Sequence, residues 1–502
     1  MEPRAYTPAL LGVALALGVW IGSGFQDPFL LAKDDSQWQK IEQILQYVEN
    51  DYVDTIQRKD LEEEIVTFLL QKLDPHSYYI SEAEVASMNE PMEGNFEGIG
   101  VQFKLERDTI YVIKALVGGP SIRAGVLEGD RIVIVNEDTV AGTGLTNKMV
   151  MSLLKGPAGS DVSIGVKRRG SSEITHINVT RGQIPIRSVE AAYLVDSTTI
   201  YVRLARFAKN TYEEFQEAAY PLLSDNTTHF ILDLRGNGGG ILDASINLVD
   251  EFLSEGKLIT YTQGRSRPRS DFLATEKGMF EDLELIVLID GYSASASEIV
   301  AGAIQDHNRG VIVGRRSFGK GLVQEQNEWS DGSATRLTVA RYYTPNGRSI
   351  QRPYESIALH EPVNDLQADT STHGGIVPNV LVKRDTAGVT WFYAELVHRG
   401  YINDFAYSFR DKHLATLRGL TKEEFIHELQ LNTIAEELRA FLNKRDFEIN
   451  ESEWARSIDL VTIRCKSIIG RSMFDDETYW RIANETDPFV REALEIKQRT
   501  AT

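Results

Sequence analysis

The residues best suited to chemistry are three serines and, farther on, a lysine between glycines. The apolar run Leu285 to Ile289 predicts a buried strand, Asp290-Gly291 a turn, and Ala294 to Asp306 carries apolar residues at helical spacing. Ser293, Ser295 and Ser297 therefore sit where a strand becomes a helix. The first N–H groups of a helix lack intrahelical partners and carry the positive end of its dipole, so an oxyanion formed there would be stabilised. Ser295-Ala296-Ser297-Glu298 also fits a capping box, a purely structural use of the same residues. In Gly319-Lys320-Gly321 the flanking glycines suit close backbone approach better than an exposed flexible arm. If Lys320 to Gln324 is extended, a period of two puts Lys320, Leu322 and Gln324 on one face. Ser295 and Lys320 could then act as nucleophile and base, with Gln324 holding the amine.

Other readings of these residues are weaker. Gly291-Tyr292-Ser293-Ala294-Ser295 nearly matches Gly-x-Ser-x-Gly, which would make Ser293 the nucleophile, but the last glycine is missing. His307 lies beyond the helix, about 18 Å from its start at 1.5 Å per residue, too far to serve Ser295. Gly314 to Lys320 resembles a Walker A loop, yet Gly321 stands where a Ser or Thr should bind Mg²⁺. Arg235-Gly236-Asn237-Gly238-Gly239-Gly240 follows a predicted strand, but Gly-x-Gly-x-x-Gly fails at Ile241.

Ser-Ala-Ser-Ala-Ser-Glu-Ile, Arg-Gly-Val-Ile-Val-Gly and Phe-Gly-Lys-Gly-Leu-Val-Gln together resemble the C-terminal processing peptidases, or tail-specific proteases. The resemblance covers roughly residues 36–385. It implies an α/β, multidomain protein with a crotonase-like protease core. It also implies Ser295 as nucleophile, Lys320 as base and Gln324 as the residue orienting the lysine. The oxyanion hole would come from the amides of Ala296 and Gly239, with Gly238 and Gly240 not separable from Gly239 by sequence. A free lysine titrates near about 10.4, so Lys320 can act as a base near neutral pH only if burial strips its charge. The turn Asp74-Pro75-His76-Ser77 also resembles the family, and His76 is read as structural. Thr344 to Gln351 and Gly374 to Asn379 look like further signatures, with Asn379 where Asp is usual.

Residues 94–182 resemble a PDZ domain, on Gly98-Ile99-Gly100-Val101, Pro120 to Val126 and Gly129 to Asn136. Thr146 to Leu154 would be the groove helix. Such a module binds by strand addition, a peptide pairing near Ile99 while amides around Gly98 and Gly100 catch its terminal carboxylate. Val101 stands where many such loops carry Phe. The plain alternative is a packing domain that binds nothing.

Length and composition bound the rest. The chain has 502 residues, 42% hydrophobic, enough for about three packed domains. A net charge of −20 without a basic block argues against nucleic acid. Cys465 is the single cysteine, so no intramolecular disulfide forms. From Ala9 to Phe25 no residue is charged and Arg4 precedes the run, which reads as an uncleaved membrane anchor in preference to a cleaved signal. The expected organisation is 1–26 anchor or signal, 27–93 helical, 94–182 PDZ, 183–385 protease core and 386–502 helical extension. That extension is expected to pack on the protease or on a second copy. Asp60 is expected to cap a helix, and Trp391–Val397, Lys422–Leu442 and Trp454–Ile469 to be helices. The basic stretch Gly264 to Ser270 is read as solvated. No cofactor is expected, and no metal, since no cluster of ligand residues is apparent. The reading is an exported, periplasmic serine endopeptidase tethered to the inner membrane, taking protein C-terminal segments as substrates. The alternatives are a non-catalytic PDZ scaffold in the envelope and crotonase-like acyl-CoA chemistry.

Overall fold

The computed structural model describes residues 36–500 apart from 117, 169–170, 172, 276–277, 355–373, 384–385 and 387; the apolar segment 9–25 lies outside them. The chain divides into two compact units, Met1–Lys72 and Leu73–Thr502. The first holds the helices Ser36–Asp51 and Arg58–Gln71. Gln57 occupies the cap position of the second, and Asp60 instead lies in its first turn. There its charge still complements the helix dipole.

The larger unit is built on a six-stranded sheet. Its strands run in the order Val189–Asp196, Thr199–Leu204, His229–Asp233, Glu284–Ile289, Gly310–Gly314 and Val380–Leu381. All neighbours after the first pair are parallel. Parallel strands covered on both faces read as continuous apolar runs, which is why Phe230 to Leu232 and Leu285 to Ile289 show no polar alternation. Alternate residues still serve different faces. Ile200, Val202, Phe230, Leu232 and Val287 pack with Phe215, Leu248, Val300 and Ile304 from the core's own helices. Tyr201, Ile231, Ile286, Leu288 and Val313 pack with Phe489, Val490 and Ala493 from the helix Pro488–Thr500. The helical extension therefore supplies the second cover of the protease sheet.

A second sheet joins Tyr78–Ile80, Ala334–Tyr343, Leu258–Gln263 and Ser270–Leu273, with Leu322–Glu328 forming a hairpin on Ala334–Tyr343. That hairpin carries a register shift between Val323 and Gln324. A bulge adds a residue and turns the side chains beyond it to new directions. The simple alternation expected from Lys320 to Gln324 accordingly fails: Leu322 is buried at 4% exposure, while Val323 joins Lys320 and Gln324 in lining a cleft.

The module after Asn95 has the sheet order Val101–Leu105, Ile110–Ala115, Arg131–Val135, Asp161–Lys167, Ile174–Thr180. Val101–Leu105 is an edge strand, open to the pairing that strand addition needs. The helix Asn147–Leu154 begins at Thr146, whose side chain accepts from Met149 N. Gly98 closes a short pairing of Asn95–Gly98 with Gly182–Pro185, and Ile99 and Gly100 are buried beyond it.

In the extension the expected helix Lys422–Leu442 is two, Lys422–Glu428 and Leu431–Asn443. The break falls at Leu429, whose backbone turns extended at ψ 106°. Helices Trp391–His398, Tyr401–Leu417, Glu451–Met473 and Asp476–Asn484 surround a core that includes Phe392, Phe405, Phe425, Leu438 and Cys465. Arg410, wholly buried, meets Glu128 at 2.7 Å and Asp411 at 2.7 Å, and Tyr111 Oη donates to Asp411 at 2.9 Å. These bonds seat the 101–180 module on the extension. Because Phe489 is 4% exposed against the protease sheet, Phe489→Ala is expected to cost about 3–5 kcal/mol. Urea unfolding of the full chain would show the loss as a lower midpoint.

Candidate active site

The turn after Glu284–Ile289 is a strained elbow. Ser295 has φ 54° and ψ −113°, outside the regions that side chains adopt freely, and the helix Ala296–Asp306 starts immediately after it. Neighbouring bonds hold this conformation. Ser293, fully buried, donates from Oγ to Leu234 O at 2.8 Å and accepts from Asp290 N at 2.9 Å. Its hydroxyl is thus structural, which removes the competing elbow reading. Ser297 Oγ donates to Asn237 O, and Ala294 N donates to the same carbonyl. His307 caps the far end of the helix, with its ring against Leu258 O.

Ser295 and Lys320 open onto one cleft of about 470 Å³, shared with His76, Gln324, Gly238, Gly239, Gly240, Ala296, Arg206 and Arg336. The lysine amine donates to Gln324 Oε1 at 2.8 Å, and Gln324 Nε2 donates to His76 O, which fixes the amide's orientation. In this state the amine bonds to Gln324 and not to the serine hydroxyl. Such catalytic bonds commonly tighten only when substrate arrives. Burial lowers the Lys320 pKa, and the Arg336 guanidinium lowers it further against the opposing charges of Asp74 and Glu298. Burial also lowers the His76 pKa, with Lys320 adding to the effect. His76 lines the cleft, and its Nε2 is buried without a hydrogen bond.

Two residues outside the sequence-read set join the halves of the site. Glu298 is fully buried and accepts from Ser295 N at 2.9 Å, Lys320 N at 2.9 Å, Gly319 N at 2.8 Å and Ser317 Oγ at 2.5 Å. Burial pushes its pKa up while these donors pull it down. Tyr342 Oη sits between Ser295 O at 3.0 Å and Lys320 O at 2.6 Å. The Ser-x-x-Glu spacing signalled Glu298 only as a cap; nothing local in sequence marked Tyr342.

The glycine loop lies against the elbow. A Cβ on Gly239, whose φ is +93°, would stand 2.8 Å from Ser295 Cβ and 2.9 Å from Ala296 N. Only glycine fits so close. In this state Gly239 N donates to Asn237 Oδ1 at 2.9 Å, a bond the expectation of an oxyanion donor did not foresee. Arg235, which opens the loop, is held by Asp233 and, at 2.8 Å to both oxygens, by Asp487 of the extension. Burial would raise the Asp233 pKa, but Arg235 and Arg203 hold it well below the usual carboxylate range.

Residues 198–357 match the model of peptidase family S41, residues 98–179 that of a PDZ domain, and residues 392–475 a family of unknown function. The carboxy-terminal-processing protease of Bartonella bacilliformis is 35% identical over 312 residues, covering 61% of this chain and 71% of the relative. The carboxy-terminal processing protease CtpA of Bacillus subtilis is 28% identical over 345 residues, covering 68% and 73%. A solved structure of the photosystem II D1 C-terminal processing protease aligns at 28% identity and TM-score 0.38, over 69% of this chain and 87% of that one. With its PDZ domain and α/β core, the chain belongs to peptidase family S41, the serine-type carboxy-terminal-processing proteases.

Proposed function

We propose that the chain hydrolyses peptide bonds through an acyl-enzyme carried by a Ser295–Lys320 dyad. The neutral Lys320 amine takes the proton from Ser295 Oγ, the oxygen attacks the carbonyl carbon, and the amide of Ala296 with that of Gly239 receives the oxyanion. The same amine then protonates the leaving nitrogen, and water hydrolyses the ester. Gln324 positions the amine. Asn237 must yield the Gly239 amide when the oxyanion forms. The observation that carries this reading is the common tether: one buried carboxylate, Glu298, fixes both the Ser295 and the Lys320 backbone beside a single cleft.

The open edge strand Val101–Leu105 beside Asn147–Leu154 supports recognition of substrate C-terminal segments, with Gly98, Ile99, Gly100 and Val101 as the carboxylate-binding loop. We infer further that the substrates are exported proteins and that the enzyme is periplasmic, tethered by the apolar segment 9–25. Among the described residues no helix is long and apolar enough to cross a membrane. Membrane fractionation of the full chain and of a variant lacking residues 9–25 tests the tether, which fails if both partition alike.

Ser295→Ala and Lys320→Ala should each lower cleavage of an unfolded protein by at least about a thousandfold while leaving the circular dichroism spectrum intact. Substantial turnover in either folded variant would remove the dyad. Because the base works uncharged, kcat/KM should rise with pH through the Lys320 pKa, which lies below that of an ordinary lysine. Arg336→Gln removes a cation that disfavours the charged amine, so this limb should move to higher pH. A limb that stays in place argues against Lys320 as base. Gly239→Ala should abolish activity by forcing the elbow apart, whereas Gly238→Ala, whose Cβ meets nothing within 4 Å, should keep measurable turnover. The reverse order would shift the oxyanion assignment away from Gly239.

A further inference from the structure

The chain carries a formal charge of −20, yet the cleft around Ser295 is lined by Arg206, Arg336 and Lys320 and, among the described residues, by no carboxylate. The nearby acids are consumed inside its wall. Glu298 is fully buried under its four donors. Asp74 accepts from His76 N, Ser77 N and Ser77 Oγ. Arg336, 8% exposed, is held by Tyr78, Gln326 and Asn89, all neutral groups.

Arg206 differs from these. It makes no hydrogen bond or ion pair with any described residue, and its Nε is buried without an acceptor. A buried donor without a partner carries a desolvation cost that an arriving acceptor relieves. A guanidinium offers its donors as a planar fork that matches a carboxylate. Arg206 lines the same cleft as Ser295 and Lys320. Phe207, the next residue, donates from N to Gly239 O at 3.0 Å and accepts at O from Ile241 N at 2.8 Å. The Arg206 segment thus runs beside the loop that packs on Ser295.

We propose that Arg206 determines specificity by pairing with a substrate carboxylate close to the scissile bond, so that the protease favours acidic segments. The proposal rests on the Ser295 cleft being the proteolytic site. The carboxylate can come from an Asp or Glu side chain or from the substrate's own terminus, and the two are experimentally separable.

The test uses the full chain and internally quenched peptides with Glu, Gln or Lys at each of the positions flanking the cleaved bond, each made with a free and an amidated C-terminus. The Glu peptide should be cleaved with kcat/KM at least about tenfold above its Gln counterpart, the size of one charge-assisted hydrogen bond. In Arg206→Gln this ratio should collapse towards one, through the Glu peptide. Arg206→Glu should instead favour the Lys peptide, a reversal that no loss of packing could produce. If amidation rather than Gln removes the preference, the paired group is the terminal carboxylate. Equal cleavage of all the peptides by the wild type overturns the proposal, as does an Arg206→Gln enzyme that still discriminates. Should Arg206→Gln not fold, Arg206→Lys keeps the charge without the fork and should give an intermediate ratio; full wild-type discrimination there overturns the forked pairing. Cleavage by Ser295→Ala, by contrast, would discredit the site itself, whatever Arg206 does.

Discussion

The arrangement of the site depends on one carboxylate with no access to water. Glu298 lies one turn into the elbow helix and gathers the amides of Ser295, Gly319 and Lys320 with the hydroxyl of Ser317. A buried acid without partners would be costly, but one with four donors, close to a helix N-terminus, is well satisfied. The consequence is mechanical. The strained serine and the glycine-flanked lysine belong to different strands of sequence, yet they cannot shift independently without exposing that acid. Tyr342 reinforces the tie from the carbonyl side.

The same dryness sets the electrostatics. Burial disfavours charge on Lys320, and Arg336 adds to this, while Glu298 and Asp74 act in the opposite sense. The net direction is towards a neutral amine. Gln324 accepts from the amine without supplying a charge that would hold its proton, and His76 O fixes the amide from behind. A carboxylate in place of Gln324 would have favoured the ammonium form.

Much of this could be read from residue order. The apolar runs around Phe230 and Leu285 gave strands because a sheet covered on both faces tolerates no polar alternation. The serine, lysine and glutamine stood out through glycine punctuation and helix-start chemistry. What escaped was tertiary. The bulge at Val323 and Gln324 breaks a period of two without a glycine to announce it. The break at Leu429 divides a helix at a residue with good helical propensity. Glu298 looked like a cap because its other three partners come from a distant loop, and Tyr342 is one of two adjacent tyrosines on its strand. The Asn237 side chain on the Gly239 amide likewise arises from the folded loop alone.

The helix Pro488–Thr500 covers a sheet whose first strands were laid down far earlier: Lys497 Nζ reaches Asp196 across 301 positions. Asp487, just before that helix, also clamps Arg235 at the mouth of the glycine loop. A ribosome therefore produces the serine and the lysine well before it produces the surface that finishes their scaffold. Until that stretch emerges, one oily side of the sheet stays bare and the glycine loop lacks its clamp. The order of synthesis thus puts the completion of the scaffold after the residues that it supports.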